Sequence, residues 1–263
     1  ENDVRGVPTA YGGASVTTPA QADSEVVKRL RDAGAVIIGK TRMPEFGIWP
    51  FTETAANGWT RNPWDTDRSP AGSSGGTAAA VASGMVAAGI GGDGGGSIRL
   101  PSSWCGLFGL KPQRGRVSTA PNPDLWRALG TLGPLTRTVA DSALIYDVIS
   151  GATSIDRFHA AELAGSFVDA AGTPPGRLRI RLSFRNPMRA GMVDDESAAA
   201  IRALADRLRD AGHDVVESDP DYPLLSGVFS VQTASGVSEE AARVEHPDRL
   251  ERNTRHIARV GRV

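Results

Sequence analysis

At 263 residues, 40% apolar and 22% charged, the chain is long enough to bury a sizeable core as one large or two small domains. A formal net charge of −1 gives nucleic acid and anionic membranes no electrostatic footprint, and no apolar run is long enough to span a bilayer. The single cysteine, Cys105, excludes an internal disulfide framework and a multi-cysteine metal site, which fits a reducing cytoplasm; lysine chemistry is confined to Lys28, Lys40 and Lys111.

In chain order, the first predicted helix places Val26, Val27, Leu30 and Ala33 on one face, with Asp23 or Ser24 as N-cap. It stops at Gly34, and Ala35-Val36-Ile37-Ile38 follows as a strand. A helix over about Ser74–Ala88 consists almost wholly of Ala, Gly, Ser and Val. Such small side chains allow close backbone approach and suit a buried central helix. A short strand near Gly89–Gly92 and a helix over about Val139–Ser150 come next. Residues Gly151–Gly176 read as irregular, with a turn or linker at Ala170–Gly176. Strand-like Leu178–Phe184 then leads into a second helix, with Ile201, Leu204, Leu208 and Ala211 apolar and Asp194 or Asp195 as cap. That helix stops at Gly212 before the strand His213–Val216. Both helices end in Arg-Leu-Arg-Asp-Ala-Gly, a repeat short enough to be convergence on one helix-stop signal. The alternation predicts an α/β fold, with a mostly parallel or mixed sheet covered by helices. In the arginine-rich stretch Arg243–Arg262, Leu250, Ile257 and Val260 supply a buried face to a solvated helix. The opening at Glu1 without methionine and the charged close suggest a chain cut at both ends.

Two serine-bearing glycine segments flank the small-residue helix: Gly72-Ser73-Ser74-Gly75-Gly76 and Gly94-Gly95-Gly96-Ser97. Glycines beside a serine expose backbone N–H groups and let a carbonyl approach closely, as a nucleophile with an oxyanion hole requires. A serine nucleophile needs a base. His159, His213, His246 and His256 all lie downstream outside any motif, and Gly95-Gly96-Ser97-Ile98-Arg99 lacks the glycine that a nucleophile elbow carries two residues after its serine. A phosphate-cradling loop fails as well, for want of Gly-Lys-Ser/Thr and because Asp93 repels phosphate.

Ala71 to Gly84, Gly92-Asp93-Gly94-Gly95-Gly96-Ser97-Ile98-Arg99-Leu100-Pro101-Ser102, Cys105 to Pro112 and Gly115-Arg116-Val117 resemble, in order and spacing, the amidase signature family. The flanks Gly39 to Phe46 and Gly133 to Asp141 agree, and the resemblance covers the chain to about Asp219. It implies one domain over residues 1–263, with a signature core at about 35–150 and a second helix–strand unit at about 177–220. The implied fold is a mixed twisted sheet with helices on both faces. The implied activity is hydrolysis of a carboxamide through an acyl-enzyme, with a small-molecule amide as substrate and no metal or organic cofactor. The resemblance assigns Ser97 as nucleophile and Ser73, after a cis peptide bond, as the bridging serine. It assigns the N–H groups of Gly94, Gly95, Gly96 and Ser97 to the oxyanion hole, and Ser74 as a supporting hydrogen-bond partner. Asp93 and Arg99 read as supports that orient the loop. Cys105, among Trp104, Leu107 and Phe108, reads as a small buried hydrophobe.

The family's third catalytic member is a lysine that aligns about two residues before Glu1. Lys40 and Lys111 fall in other motifs and Lys28 on a surface helix. Gly92 and Gly94 stand where the family carries threonine or serine and a bulkier residue, which predicts a looser loop. Ala71 replaces a common glycine at little expected cost. Alternative readings are the A subunit of a tRNA-dependent amidotransferase and a non-catalytic binding member; a homo-oligomer is compatible with any of them. Pro121–Leu132 follows the stand-alone amidases instead of the amidotransferase pattern.

Overall fold

A computed structural model describes residues 1–186, 193–222 and 226–262. It separates into two compact units, one of Glu1–Gly172 with Gln232–Val263 and one of Thr173–Val231. The α/β class read from the sequence is what the structure has, built from small sheets.

The first unit is organised by a three-stranded antiparallel sheet of β3 (Ala88–Gly92), β4 (Phe108–Gly109) and β5 (Leu132–Thr136), in the order β3-β5-β4. The register pairs Ala88 with Thr136 and Gly92 with Leu132. Every residue of β5 is buried. Leu132 and Leu135 are three apart on this strand and therefore face opposite sides. Leu132 joins a core of Val26 and Val27 from α1 (Glu25–Asp32) and Tyr146 and Ile149 from α4 (Val139–Ile149). Leu135 joins Ala78 of α2 (Gly75–Ala82) together with Ile98 and Cys105, which bracket α3 (Arg99–Trp104). Helices thus cover both faces. A separate hairpin pairs β1 (Glu53–Thr54) with β2 (Gly58–Trp59).

Helix stops are written by one device used three times. Gly34, at φ +90°, donates to Arg31 while Ala35 donates to Leu30, and Gly212 with His213 repeats the pattern on Arg209 and Leu208. Gly84, at φ +79°, donates to Val81 and Met85 to Ala80. Each is a Schellman closure with glycine in the left-handed position. The third corrects the helix expected over Ser74–Ala88, which ends at Ala82. The central helix is nonetheless buried, at Gly75, Gly76, Thr77, Ala78 and Val81. A Cβ on Gly76 would collide with the Arg42 carbonyl oxygen, so the small-residue run is a condition of the packing.

The strand expected at Ala35–Ile38 is not formed. Val36 and Ile38 are 84% and 73% exposed, and β3 carries β5 on one side alone among the described residues. A short helix α5 (Phe167–Gly172) occupies part of the span read as irregular and enters the expected Ala170–Gly176 linker.

Arg29 of α1 ties two helices together. Its Nη1 donates to the carbonyls of Ile149, Ser150 and Gly151 at 2.9, 2.7 and 2.7 Å, at the C-terminal end of α4. A cation there satisfies carbonyls that the helix leaves unpaired and opposes the negative end of its dipole. Arg29→Met is expected to cost about 1.5–3 kcal/mol, the range for hydrogen bonds to a charged group, read as a lowered urea midpoint at unchanged m-value.

The second unit pairs β6 (Arg179–Leu182) in parallel with β7 (Asp214–Glu217), joined through α6 (Asp195–Asp210). Asp194 caps α6 by accepting from the Ser197 N–H at 2.8 Å, one of the two caps expected. The helix–strand unit read from the sequence is therefore present, with residues 187–192 outside the described residues. Beyond it lie α7 (Ser226–Ala241) and α8 (Arg252–Val260). In α8 the buried positions are Thr254 and Ala258, while Leu250 just before it is buried and Val260 is exposed, which corrects the apolar face expected there.

Candidate active site

The two glycine–serine segments meet beside the end of β3. Ser73 and Ser74 precede α2, and the peptide bond between Gly72 and Ser73 is cis. Gly72 is required by space: a Cβ there would lie 2.7 Å from the Phe51 nitrogen and 2.8 Å from the Trp49 carbonyl oxygen. Ala71, before it, holds φ +60° with its carbonyl accepting from Thr52 Oγ1 at 2.9 Å. A left-handed alanine costs about 1–2 kcal/mol, more than the small cost expected from sequence.

The Ser74 N–H donates to the Ser97 carbonyl at 3.3 Å, and Ser74 Oγ donates to the Gly92 carbonyl at 3.4 Å. This pair of bonds stitches the first serine loop to the second. Ser73 and Ser74 are buried and Ser97 is half-buried. A small cavity of about 10 Å³ is lined by Ser73, Ser97, Gly47, Gly94 and Trp126 among others. A larger one of about 460 Å³ lies between residues 35–43 and β3 and also reaches Ser73.

Asp93 organises the second loop. Its side chain is fully buried, and its carboxylate accepts from the N–H groups of Gly96 (2.6 Å), Ile98 (3.1 Å) and Arg99 (3.4 Å). Arg99 adds a two-point grip, Nε to Oδ2 at 2.9 Å and Nη2 to Oδ1 at 3.0 Å. Burial works against ionisation of Asp93, but the Arg99 hydrogen bond, the Lys111 charge and the loop N–H bonds outweigh it and hold the carboxyl below its ordinary range. Asp93 and Arg99, read from the sequence as supports, thus sit hydrogen-bonded to each other at the centre of this loop.

One expected donor is already committed. The Gly96 N–H, one of the four expected at the oxyanion hole, donates to Asp93 Oδ1 at 2.6 Å. Gly92 and Gly94, expected to loosen the loop, are tightly abutted. A Cβ on Gly92 would collide with the Glu1 carboxylate, and one on Gly94 would lie 2.9 Å from Trp126 Cε3.

Each lysine is bonded to partners other than Ser73. Lys111 Nζ donates to the carbonyls of Asp93 and Leu129 and to Thr131 Oγ1, and faces Asp93 Oδ1 at 3.6 Å. Lys40 Nζ donates to Thr9 Oγ1 at 2.7 Å and the Pro8 carbonyl at 3.2 Å; Lys28 pairs with Asp32 on the surface. Desolvation lowers both Lys40 and Lys111. Cys105 is buried, and burial pushes its thiol up to about 11, which fits a packing role. Sequence reasoning missed Trp126, since the stretch Pro121–Leu132 is read there only for its likeness to stand-alone amidases, and the bracing of the loop by Lys111.

Among the described residues no helix is long and apolar enough to cross a membrane. The family model for Amidase matches residues 1–258. A Mycobacterium tuberculosis protein named Putative amidase AmiB2 is 49% identical over 264 residues, covering 98% of this chain and 55% of its own. In Nitratidesulfovibrio vulgaris, the A subunit of glutamyl-tRNA(Gln) amidotransferase is 37% identical over 255 residues, 91% of this chain and 52% of its own. Among solved structures, 6-aminohexanoate cyclic dimer hydrolase complexed with substrate superposes with a TM-score of 0.92 at 33% identity, over 99% of this chain and 57% of that one. A bacterial aryl acylamidase of the amidase signature family gives 0.84 at 26% identity, over 98% and 56%. The chain spans about half the length of the curated relatives it matches. With the family model matched along nearly its whole length, the chain belongs to the amidase family.

Proposed function

We propose that the protein hydrolyses a carboxamide through an acyl-enzyme on Ser97. The observation that carries this reading is the loop architecture: Ser74 joins the Ser73 and Ser97 segments, and buried Asp93 fixes the curvature of Gly94–Ser97. Ser97 Oγ attacks the carbonyl carbon while its proton passes through Ser73 Oγ to the base. The developing oxyanion is met by the N–H groups of Gly94, Gly95 and Ser97, each worth about 2.7–4 kcal/mol in comparable sites. Collapse of the tetrahedral intermediate breaks the C–N bond, and the amine or ammonia leaves with the returned proton. Water then attacks the acyl–Ser97 ester, giving its proton back along the same relay and releasing the carboxylic acid.

The base is a neutral lysine. Since Lys28, Lys40 and Lys111 are each bonded elsewhere, we assign it to polypeptide outside residues 1–263, of which the relatives carry about as much again. Residues 1–263, in this reading, are one part of a single amidase-signature domain. A cytoplasmic location rests on the single buried thiol. The higher identity to AmiB2 than to the amidotransferase chain favours a stand-alone amidase.

The test is ammonia release from simple carboxamides by the protein expressed from its complete reading frame, with no added partner chain. Turnover is expected there, and residues 1–263 alone are expected to be slower by about 10²–10⁴-fold, the range of a general base. Equal rates would remove the external lysine. Release only in the presence of tRNA and a partner chain would favour the amidotransferase.

A further inference from the structure

Residues Trp126, Arg127 and Ala128 form a left-handed run at φ +53°, +51° and +64°, closed by Leu129 N–H to the Trp126 carbonyl and Gly130 N–H to the Leu125 carbonyl, both 3.1 Å. Three consecutive non-glycine residues in this region need outside support to persist. Helix α7 supplies it. Arg127 pairs with Glu239 at 2.6 Å, Gln232 Nε2 donates to the Arg127 carbonyl at 2.5 Å, and glycine at 236 leaves room for the Trp126 backbone, whose Cα lies 3.1 Å from where a Cβ would stand.

The indole so presented lies across the catalytic loops. Its Cζ2 is 3.5 Å from the Cβ position of Gly47, a position itself 3.0 Å from Ser73 Oγ. Its Cε3 is 2.9 Å from the Cβ position of Gly94. The ring therefore spans from the Ser73 side to the oxyanion loop, and two glycines make way for it. Beneath it the cavity at Ser73 and Ser97 measures about 10 Å³, room for about one water molecule. The indole faces the Gly47 and Gly94 positions with ring carbons, Cζ2 and Cε3, so the side of the cavity it forms suits the carbon substituent of the carbonyl.

We propose that Trp126 is the acyl-size filter of this site, restricting the substrate to carboxamides of short acyl groups. The proposal rests on the amide-hydrolase reading of Ser97. Removing the ring opens the space between Gly47 and Gly94 to longer chains, while α7 holds the remaining turn.

The test compares wild type with Trp126→Ala, both from the complete reading frame, on acetyl and hexanoyl p-nitroanilides, which share one leaving group. The hexanoyl-to-acetyl ratio of kcat/KM is expected to rise about 10-fold or more, within the discrimination that a few methylenes provide. Trp126→Phe, which keeps an apolar ring in place, is expected to give an intermediate ratio and serves if the alanine variant fails to fold. A ratio unchanged in both variants overturns the filter. So does a changed preference among leaving amines at fixed acetyl, which places the ring on the other side of the carbonyl. Ser97 labelling by a small and a long-chain alkyl fluorophosphonate separates the two ideas. Wild type that reacts with neither removes the Ser97 reading and the filter with it, whereas labelling whose chain-length preference ignores Trp126 removes the filter alone.

Discussion

Ser97→Ala, made in the complete reading frame, is expected to lower amide turnover by about 10⁵–10⁶-fold, the scale at which loss of a serine nucleophile acts in a hydrolase triad. The loss is that large because the relay has no bond-forming partner once Oγ is gone, and what remains is attack by water assisted only by the oxyanion donors and substrate binding. Folding is expected to be little changed: Ser97 is half-buried and the structural bonds of its segment run through its carbonyl, to Ser74, and through the N–H groups of Gly96 and Ile98, to Asp93. A fluorophosphonate supplies the second readout. Displacement of fluoride by Ser97 Oγ leaves a phosphonyl ester on the peptide containing Ser97, visible as one mass increment in wild type and none in the variant. An adduct that persists in Ser97→Ala, or a rate loss below about 100-fold, would assign the nucleophile elsewhere.

How much of the fold and site is legible in the sequence follows from the range of the forces involved. Helix ends at Gly34 and Gly212 are readable because a left-handed closure is a local event with a local residue requirement. Gly84 obeys the same rule but stands in a run of Ala, Gly and Ser, where one more small residue carries no contrast; composition therefore extends the helix to Ala88, past its true end. Ala35–Ile38 has the composition of a strand, yet a strand exists only where a neighbour offers its edge, and no such edge meets it among the described residues. In the candidate site, Ser73, Ser97, Asp93 and Arg99 stand out in the sequence because they fall in two short glycine-rich segments of one signature. The donation of the Gly96 N–H to Asp93 does not, since a glycine permits many φ and ψ values and its identity alone does not select φ +130°. Trp126 is hidden for a different reason. Its place is set by long-range packing against Gly47, Gly94 and Gly236, three glycines far apart in sequence, none of which by itself points to an aromatic partner.

Asp93 is expected to be the residue whose loss damages the fold and the site together. Its buried carboxylate accepts three backbone N–H groups and grips Arg99, so Asp93→Ala leaves buried donors without an acceptor. Removing one partner of a buried charged pair costs about 3–5 kcal/mol. Arg99 is half exposed and regains water, so most of the cost here falls on the loop N–H groups and on Lys111, left facing an empty space. Asp93→Asn keeps one acceptor oxygen and is expected to lose less, about 1–3 kcal/mol. Because the folded state holds Asp93 below its ordinary range, its contribution is fully present above the unfolded value of about 4 and is lost as pH falls below that, through the folded value. Wild type is therefore expected to lose stability steeply below about pH 4, and Asp93→Asn to show a shallower slope over the same interval. Denaturant midpoints measured from pH 7 down to pH 3 decide the matter: parallel curves for the two proteins would mean that Asp93 does not carry the charge on which the loop depends. Asn at this position offers an NH₂ where one carboxylate oxygen accepts loop N–H groups, so Asp93→Asn is also expected to slow phosphonylation of Ser97 at neutral pH, where wild type keeps the loop in place.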